Sequence, residues 1–278
     1  MTALRRSAAA LAIGCAAVAI VVGERHRPRR QMGNQAGQNQ AARTAGNVAL
    51  GLMSMAVVAA VEGPVVRRLA DRAARQRRGL AQRLPWPGWA QDAVAVLGMD
   101  YTVYLWHVWT HKVPALWRLH VIHHMDMDLD ASTALRFHAL DMLVSMPYRA
   151  AQVAVLGVSP RALRAWQGFF FVSVLFHHSN LRLPPRLERM LAAVFTTPSM
   201  HGFHHAARRD QTDSNWSSGL SLWDRLHGTL RLDGPAPGTP AGTPIGLPGY
   251  RDPSETRFWP SLRAPFKRQR DAWLEVGK

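Results

Sequence analysis

The chain has 278 residues, with 34 Lys and Arg against 18 Asp and Glu and a formal net charge of +16. Its one cysteine, Cys15, excludes an intramolecular disulfide and a cysteine-held iron–sulfur cluster. Only Lys112, Lys267 and Lys278 are lysines, and the arginines flank apolar runs with no nucleic-acid fold signature, so the charge points to an anionic membrane surface and not to nucleic acid.

Residues 7–23, SAAALAIGCAAVAIVVG, are apolar between Arg6 and Arg25. ERHRPRR follows where a secretory leader would carry a small-residue cleavage site, so the run reads as an anchor or first span. Residues 25–44 are polar and read as a loop. A second apolar run covers 45–62. Residues 64–83 carry seven Arg, and Val65, Leu69, Ala73 and Leu80 give them an apolar stripe, which predicts a helix lying on the membrane interface. PWPGW at 85–89 breaks it and supplies two Trp for the headgroup level. A third run, 91–109, is interrupted by Asp100 and contains His107. Runs 139–156 and 162–177 are joined by Gly157, Val158, Ser159 and Pro160, a turn. They predict a helical hairpin that brings His138 and His178 to one side. Pairing 45–62 with 91–107 places Asn47 near His107. From 233 onward Pro and Gly dominate, as in an extended or wrapping arm. The expected fold is all-α: about four to five membrane helices with a cytoplasmic helical cap that carries the histidines.

Twelve of the 13 histidines lie between 107 and 227. His107 and His111 are four apart. His120, His123 and His124 form HxxHH, and His201, His204 and His205 form a second. On a helix, residues three or four apart share a face, so each cluster can aim two imidazoles at one point. Imidazole suits iron, zinc, copper and nickel. Eight to ten imidazoles exceed one ion's need and suit two. Asp100, Asp128, Asp130, Asp141, Asp213 and Asp224 are available to orient ring N–H groups. His26, alone in a basic loop, reads as solvated, and His227 reads as an aromatic stand-in. No HExxH places a Glu between ligands, adjacent HH pairs do not suit di-haem ligation, and serine or cysteine nucleophile patterns are absent.

These residues resemble the fatty acid hydroxylase/sterol desaturase superfamily of integral-membrane oxygenases. The resemblance runs from about residue 43 to 266. It rests on the block from Asp100 and Tyr101 through His124, then Thr133 to His138, FHHSNLRLP from Phe176, TPSMHGFHH from Thr197, Thr212 to Asn215, and LWDRLHGT from Leu222. It implies two iron ions, O2 as oxidant, and hydroxylation or desaturation of a lipid C–H bond. It implies the ligands His107, His111, His120, His123, His124, His178, His201, His204 and His205, with His138 as a further member and His177 and His227 as candidate extras. Asn180, Asp213, Asn215 and Asp224 are implied as supporting residues. The expected organisation is an anchor and loop over 1–44, a catalytic domain over 45–232 and a basic arm over 233–278. Electrons must come from a separate reductase or a ferredoxin- or cytochrome-type donor. Arg-for-Lys usage fits a GC-rich bacterial genome, hence an inner membrane with the metals facing the cytoplasm. Val108, Ala139, Asp141, Gly202, Ala206, Ser217 and His227 depart from the family pattern. A non-catalytic metal-binding scaffold and a zinc-dependent lipid hydrolase are the alternative functions.

Overall fold

The computed structural model describes residues 3–33, 39–232 and 242–274, which are all-helical apart from three isolated bridges. The N-terminal apolar run is α1 (Ala3–His26). The second is α2 (Gln40–Val57), N-capped by Asn39. Pro64 has no N–H to return to the preceding turn, and the helix widens into a π turn at Val58–Glu62 before continuing as α3 (Gly63–Gln76). The Arg-rich stretch is therefore an extension of the second apolar helix. Val66, Ala70 and Ala73 are its buried stripe. Among the described residues, Ser7–His26 and Gln40–Arg83 are long and apolar enough to cross a membrane.

A short α4 (Leu80–Arg83) leads to α5 (Gly88–Lys112), which ends two residues before Pro114. That proline is the first residue of α6 (Pro114–His124), as its fixed φ favours. α7 (Ala139–Leu156) and α8 (Pro160–His178) are separated by Gly157, whose φ of 70° suits glycine, and by the N-cap Ser159. The predicted helices are thus present, but they do not pack as a hairpin. α3 and α5 each pack against both of them instead. Val66, Ala95, Met99, Val103, Val153, Leu163 and Trp166 form the core of this four-helix unit.

Short helices gather at the end where α8 stops: α9 (Pro185–Ala192), α10 (Pro198–His204), α11 (Arg209–Thr212) and α12 (Leu222–Leu226). The described part of the C-terminal arm folds back on α6. Leu247, Tyr250, Ala264 and Ala272 pack on Val121, Ile122 and Met125, and α13 (Phe258–Arg263) lies against α2. Residues 233–241 lie outside the described residues.

Asn47 does not approach His107, because α2 packs on α7 and the 131–135 turn, away from α5. It belongs to a buried polar knot. Arg43 donates to both oxygens of Asp126 at 2.6 and 2.8 Å and to Asp130 at 2.8 Å. Asn47 donates to Asp126 and accepts from Arg136. The fully buried Arg136 also donates to the Ile122 carbonyl and to Ser261. One knot therefore joins α2, the end of α6 and α13.

Candidate metal centre

Four helices deliver the histidines. α5 ends with His107 and His111 on one face, α6 with His120, His123 and His124, α8 with His177 and His178, and α10 with His201 and His204. Thr197 caps α10 by accepting from the Met200 N–H, which fixes where its face begins.

The rings fall into two groups. His107, His111, His120 and His124 form one; His123, His178, His201 and His205 form the other. Within each, the candidate ligand atoms all lie within 4.8 Å of one another. The groups adjoin, since His124 stacks on His205 with centroids 4.4 Å apart. His204 flanks the first group, 4.5 Å from His107 and 4.8 Å from His111. His177 flanks the second, 4.0 Å from His201.

The nitrogens fit metal ions. The Nε2 of His178 lies 3.0 Å from those of His123 and His201, and the Nε2 of His201 lies 3.2 Å from that of His205. Ligand nitrogens about 2.1 Å from one ion and at right angles to each other are about 3.0 Å apart. Eight buried ring nitrogens have no hydrogen-bond partner: Nε2 of His111, both nitrogens of His120 and Nε2 of His124 in the first group, Nε2 of His204 beside it, and, in the second, the Nδ1 atoms of His123, His201 and His205, whose Nε2 atoms meet one another or His178. Each such orphan costs roughly 1–3 kcal/mol, so a cluster of them calls for a ligand. Burial, reinforced by neighbouring imidazoles, holds His123, His124, His201 and His205 well below the ordinary imidazole range, and His204 at about 3. All five are neutral near pH 7 and keep a lone pair for a metal.

Backbone carbonyls orient the rings. The Nδ1 groups of His204, His107 and His177 donate to the carbonyls of Ser214, Trp216 and Ser218 at 2.9, 2.7 and 3.0 Å. One segment thus presents every second carbonyl to three histidines from three helices. His178 uses the Val174 carbonyl of its own helix. Each bond fixes a tautomer whose Nε2 faces inward. Asp224 holds the segment from behind: its two oxygens accept the N–H groups of Trp216 and Ser217. Asn215, at φ 51°, bonds to Met200 and Arg231 and sets the bend.

Other expected members stand elsewhere. The structure does not bring His138 into either group: its Nδ1 accepts from Leu140 to cap α7, and its Nε2 faces the Leu262 carbonyl at 3.3 Å. His227 stacks on Tyr104 at 4.9 Å and bonds to the Tyr101 hydroxyl. Asp213 pairs with Lys112 at the surface, not with an imidazole. Asn180 pins the backbone of Arg30 in both directions. Asp141 lies near a ring, 3.8 Å from the His120 Nδ1. Aromatic rings close the cage: Phe137 stacks on His123 at 4.5 Å, Trp216 lies 4.7 Å from His111, and Trp117 lies 4.9 Å from His111. The sequence reading missed Phe137 and Trp216 as cage walls. It also missed the orienting carbonyls, which every residue type possesses and which leave no mark in a sequence.

A model of the fatty acid hydroxylase family matches residues 93–229, which include every histidine of both groups. The chain is 29% identical over 191 residues to the ornithine lipid hydroxylase of Rhizobium tropici, covering 66% of this chain and 54% of that protein. It is 29% identical over 152 residues to human alkylglycerol monooxygenase, covering 54% of this chain and 33% of that protein. It is 25% identical over 140 residues to mouse cholesterol 25-hydroxylase, covering 50% and 46%. The match thus spans about half or less of these relatives' own length. No solved structure matches.

Proposed function

The chain belongs to the fatty acid hydroxylase/sterol desaturase superfamily, and from that premise we propose that it is a membrane-bound oxygenase that hydroxylates a lipid C–H bond at a pair of iron ions. The observation that carries the reading is the pair of adjoining, buried four-histidine groups with unpartnered ring nitrogens. His107, His111, His120 and His124 would hold the first ion, with His204 beside them. His123, His178, His201 and His205 would hold the second, with His177 beside them. When bound, the ions supply O2 activation and hydrogen abstraction from an unactivated carbon. One C–H bond and one O2 enter; one alcohol and one water leave, with two electrons and two protons taken up. The electrons come from a separate donor, since Cys15 cannot hold a cluster.

The protein's own residues position and exclude. Trp117, Phe137 and Trp216 keep bulk water from the rings. An apolar groove of about 880 Å³ runs along α8, lined by Ile13, Gly168, Phe169, Val172, Phe176 and Phe195. It ends at the residue before His177, and we assign it to a lipid chain. We assign the metal face to the cytoplasmic side of a bacterial inner membrane, where ferrous iron and reductants are present. The test is the purified protein in lipid nanodiscs. It is expected to bind two equivalents of iron and to form hydroxylated lipid only with O2 and a reductant. Zinc occupancy, with lipid product formed without O2, would replace this reading with a hydrolase.

Asp224 acts through the backbone. Its Oδ2 accepts the Ser217 N–H, and the carbonyl of the same peptide group accepts the His107 Nδ1–H. The carboxylate thus strengthens the carbonyl as an acceptor and His107 as a ligand. Asp224→Asn is expected to weaken metal binding by the first group roughly 10–100-fold, the size of an outer-partner loss. It should also shift the visible spectrum of the cobalt-loaded protein. A merely structural role would lower the melting temperature and leave the spectrum of the folded fraction unchanged.

A further inference from the structure

The stretch Arg27–Arg30, which follows α1, has no part in the metal cage. Pro28 and Leu181 form an antiparallel bridge, flanked by hydrogen bonds from the Arg29 N–H to the Asn180 carbonyl and from the Arg182 N–H to the Arg27 carbonyl. In extended chain, residues two apart share a face. The ladder accordingly turns Arg27 and Arg29 the same way, and both line one pocket of about 940 Å³ together with Arg182. His26, Leu183, Pro184, Pro185, Glu188 and Ser199 complete its wall.

The pocket is built, not a loose scatter of surface charge. The Arg29 guanidinium donates to the Ser199 hydroxyl at 2.7 Å, on the helix that carries His201 and His204, and its Nε is buried with no partner. Glu188 contributes the one carboxylate, and neither of its oxygens has a hydrogen-bond partner. Three guanidinium groups against one carboxylate leave the pocket cationic. Its position defines the ligand further. It opens at the end of an apolar helix long enough to cross a membrane, where lipid headgroups lie. Val18 and Val22 are exposed on α1 in the turns before His26.

We propose that this pocket binds the phosphate of an anionic membrane lipid, with the acyl chains lying along the exposed face of α1. Arginine is suited to this because its guanidinium takes phosphate oxygens in a fixed geometry. The bound lipid would brace the start of α10 through Arg29 and Ser199. The proposal is independent of the metal-centre reading, because its test leaves every histidine unchanged.

The test is native mass spectrometry of the full chain in detergent, titrated in parallel with phosphatidylglycerol, phosphatidylcholine and inorganic phosphate. The expected result is preferential retention of phosphatidylglycerol. Arg27→Gln/Arg182→Gln should lower that retention roughly 30-fold, the worth of two arginines at a membrane surface. Both side chains are exposed, and the bonds that hold the ladder are backbone bonds, so the fold is kept. Arg75→Gln, an exposed arginine outside both this pocket and the groove along α8, should leave it unchanged. Equal retention of the two lipids, retention unmoved by the double variant, or retention of inorganic phosphate without lipid would each overturn the proposal.

Discussion

Replacing His178 with alanine is expected to leave a folded protein that binds one metal equivalent instead of two and has lost lipid oxidation. His178 is the shared neighbour in its group. Its Nδ1–H is spent on the Val174 carbonyl, so its Nε2 offers only a lone pair, 3.0 Å from the Nε2 atoms of both His123 and His201. Removing it leaves three imidazoles for the second ion. Losing an outer partner of a ligand alone costs about 10–100-fold in affinity or activity, so loss of the ligand should take activity below about 1% of wild type. The first group loses none of its four rings and should keep its ion. Metal content by elemental analysis and product formation in nanodiscs read both outcomes. The matched control is His138→Ala. That side chain caps α7 and touches neither group, so both equivalents should stay bound, with a loss of about 1 kcal/mol of stability from the missing cap. A His138→Ala protein with one metal would return His138 to the cage, and a His178→Ala protein with two would remove His178 from it.

That contrast shows how far a sequence carries such a site. The i, i+4 spacing of His107 with His111 and of His201 with His205 is a property of one helix, and helix geometry makes it readable. The partition of the rings is not. His120 and His124 serve the first group while His123, between them, serves the second, and only the way the rings of α6 meet those of α5, α8 and α10 decides this. His138 misled for a related reason. The expected hairpin of 139–156 with 162–177 would deliver it to the same side as His178, but the two helices pack on α3 and α5 instead and the ring nitrogens are consumed locally, one by the helix start it caps. Membrane spans were readable where hydropathy was continuous, as in α1 and α2. Asp100, Arg149, Arg161 and Arg164 interrupt α5, α7 and α8, and there composition stops deciding. The polar knot around Arg43 was invisible, because its partners lie more than 80 residues away in sequence.

Removing one carboxylate from that knot should have the largest effect on stability of any change outside the cage. In Asp126→Ala, Arg43 keeps Asp130 but loses its bidentate partner in a site where both side chains are almost wholly buried. Breaking a buried pair from one side costs about 3–5 kcal/mol, because the remaining charge stays in a low-dielectric site. Asn47, Thr133 and Arg136 also lean on the same carboxylate or on each other. The loss should therefore spread to the contact of α2 with the arm, and tryptophan fluorescence melts in detergent would read it as a markedly lower transition. The pH dependence gives a second check. Burial raises the Asp126 carboxyl, but Arg43 and Arg136 outweigh it and hold the group below the ordinary value of 3.8. A depressed carboxyl contributes its stability above the unfolded value and loses it as pH falls through the folded one. The deficit of the variant should then be constant from neutral pH down to about 4 and shrink only below that. The same logic fixes the behaviour of the pair. Arg43→Met/Asp126→Ala removes both charges together, so its cost should fall short of the sum of the two single changes. Strict additivity would mean that Asp126 acts through its neighbours Asn47 and Thr133, and that the Arg43 contact contributes little to joining α2 to the cage.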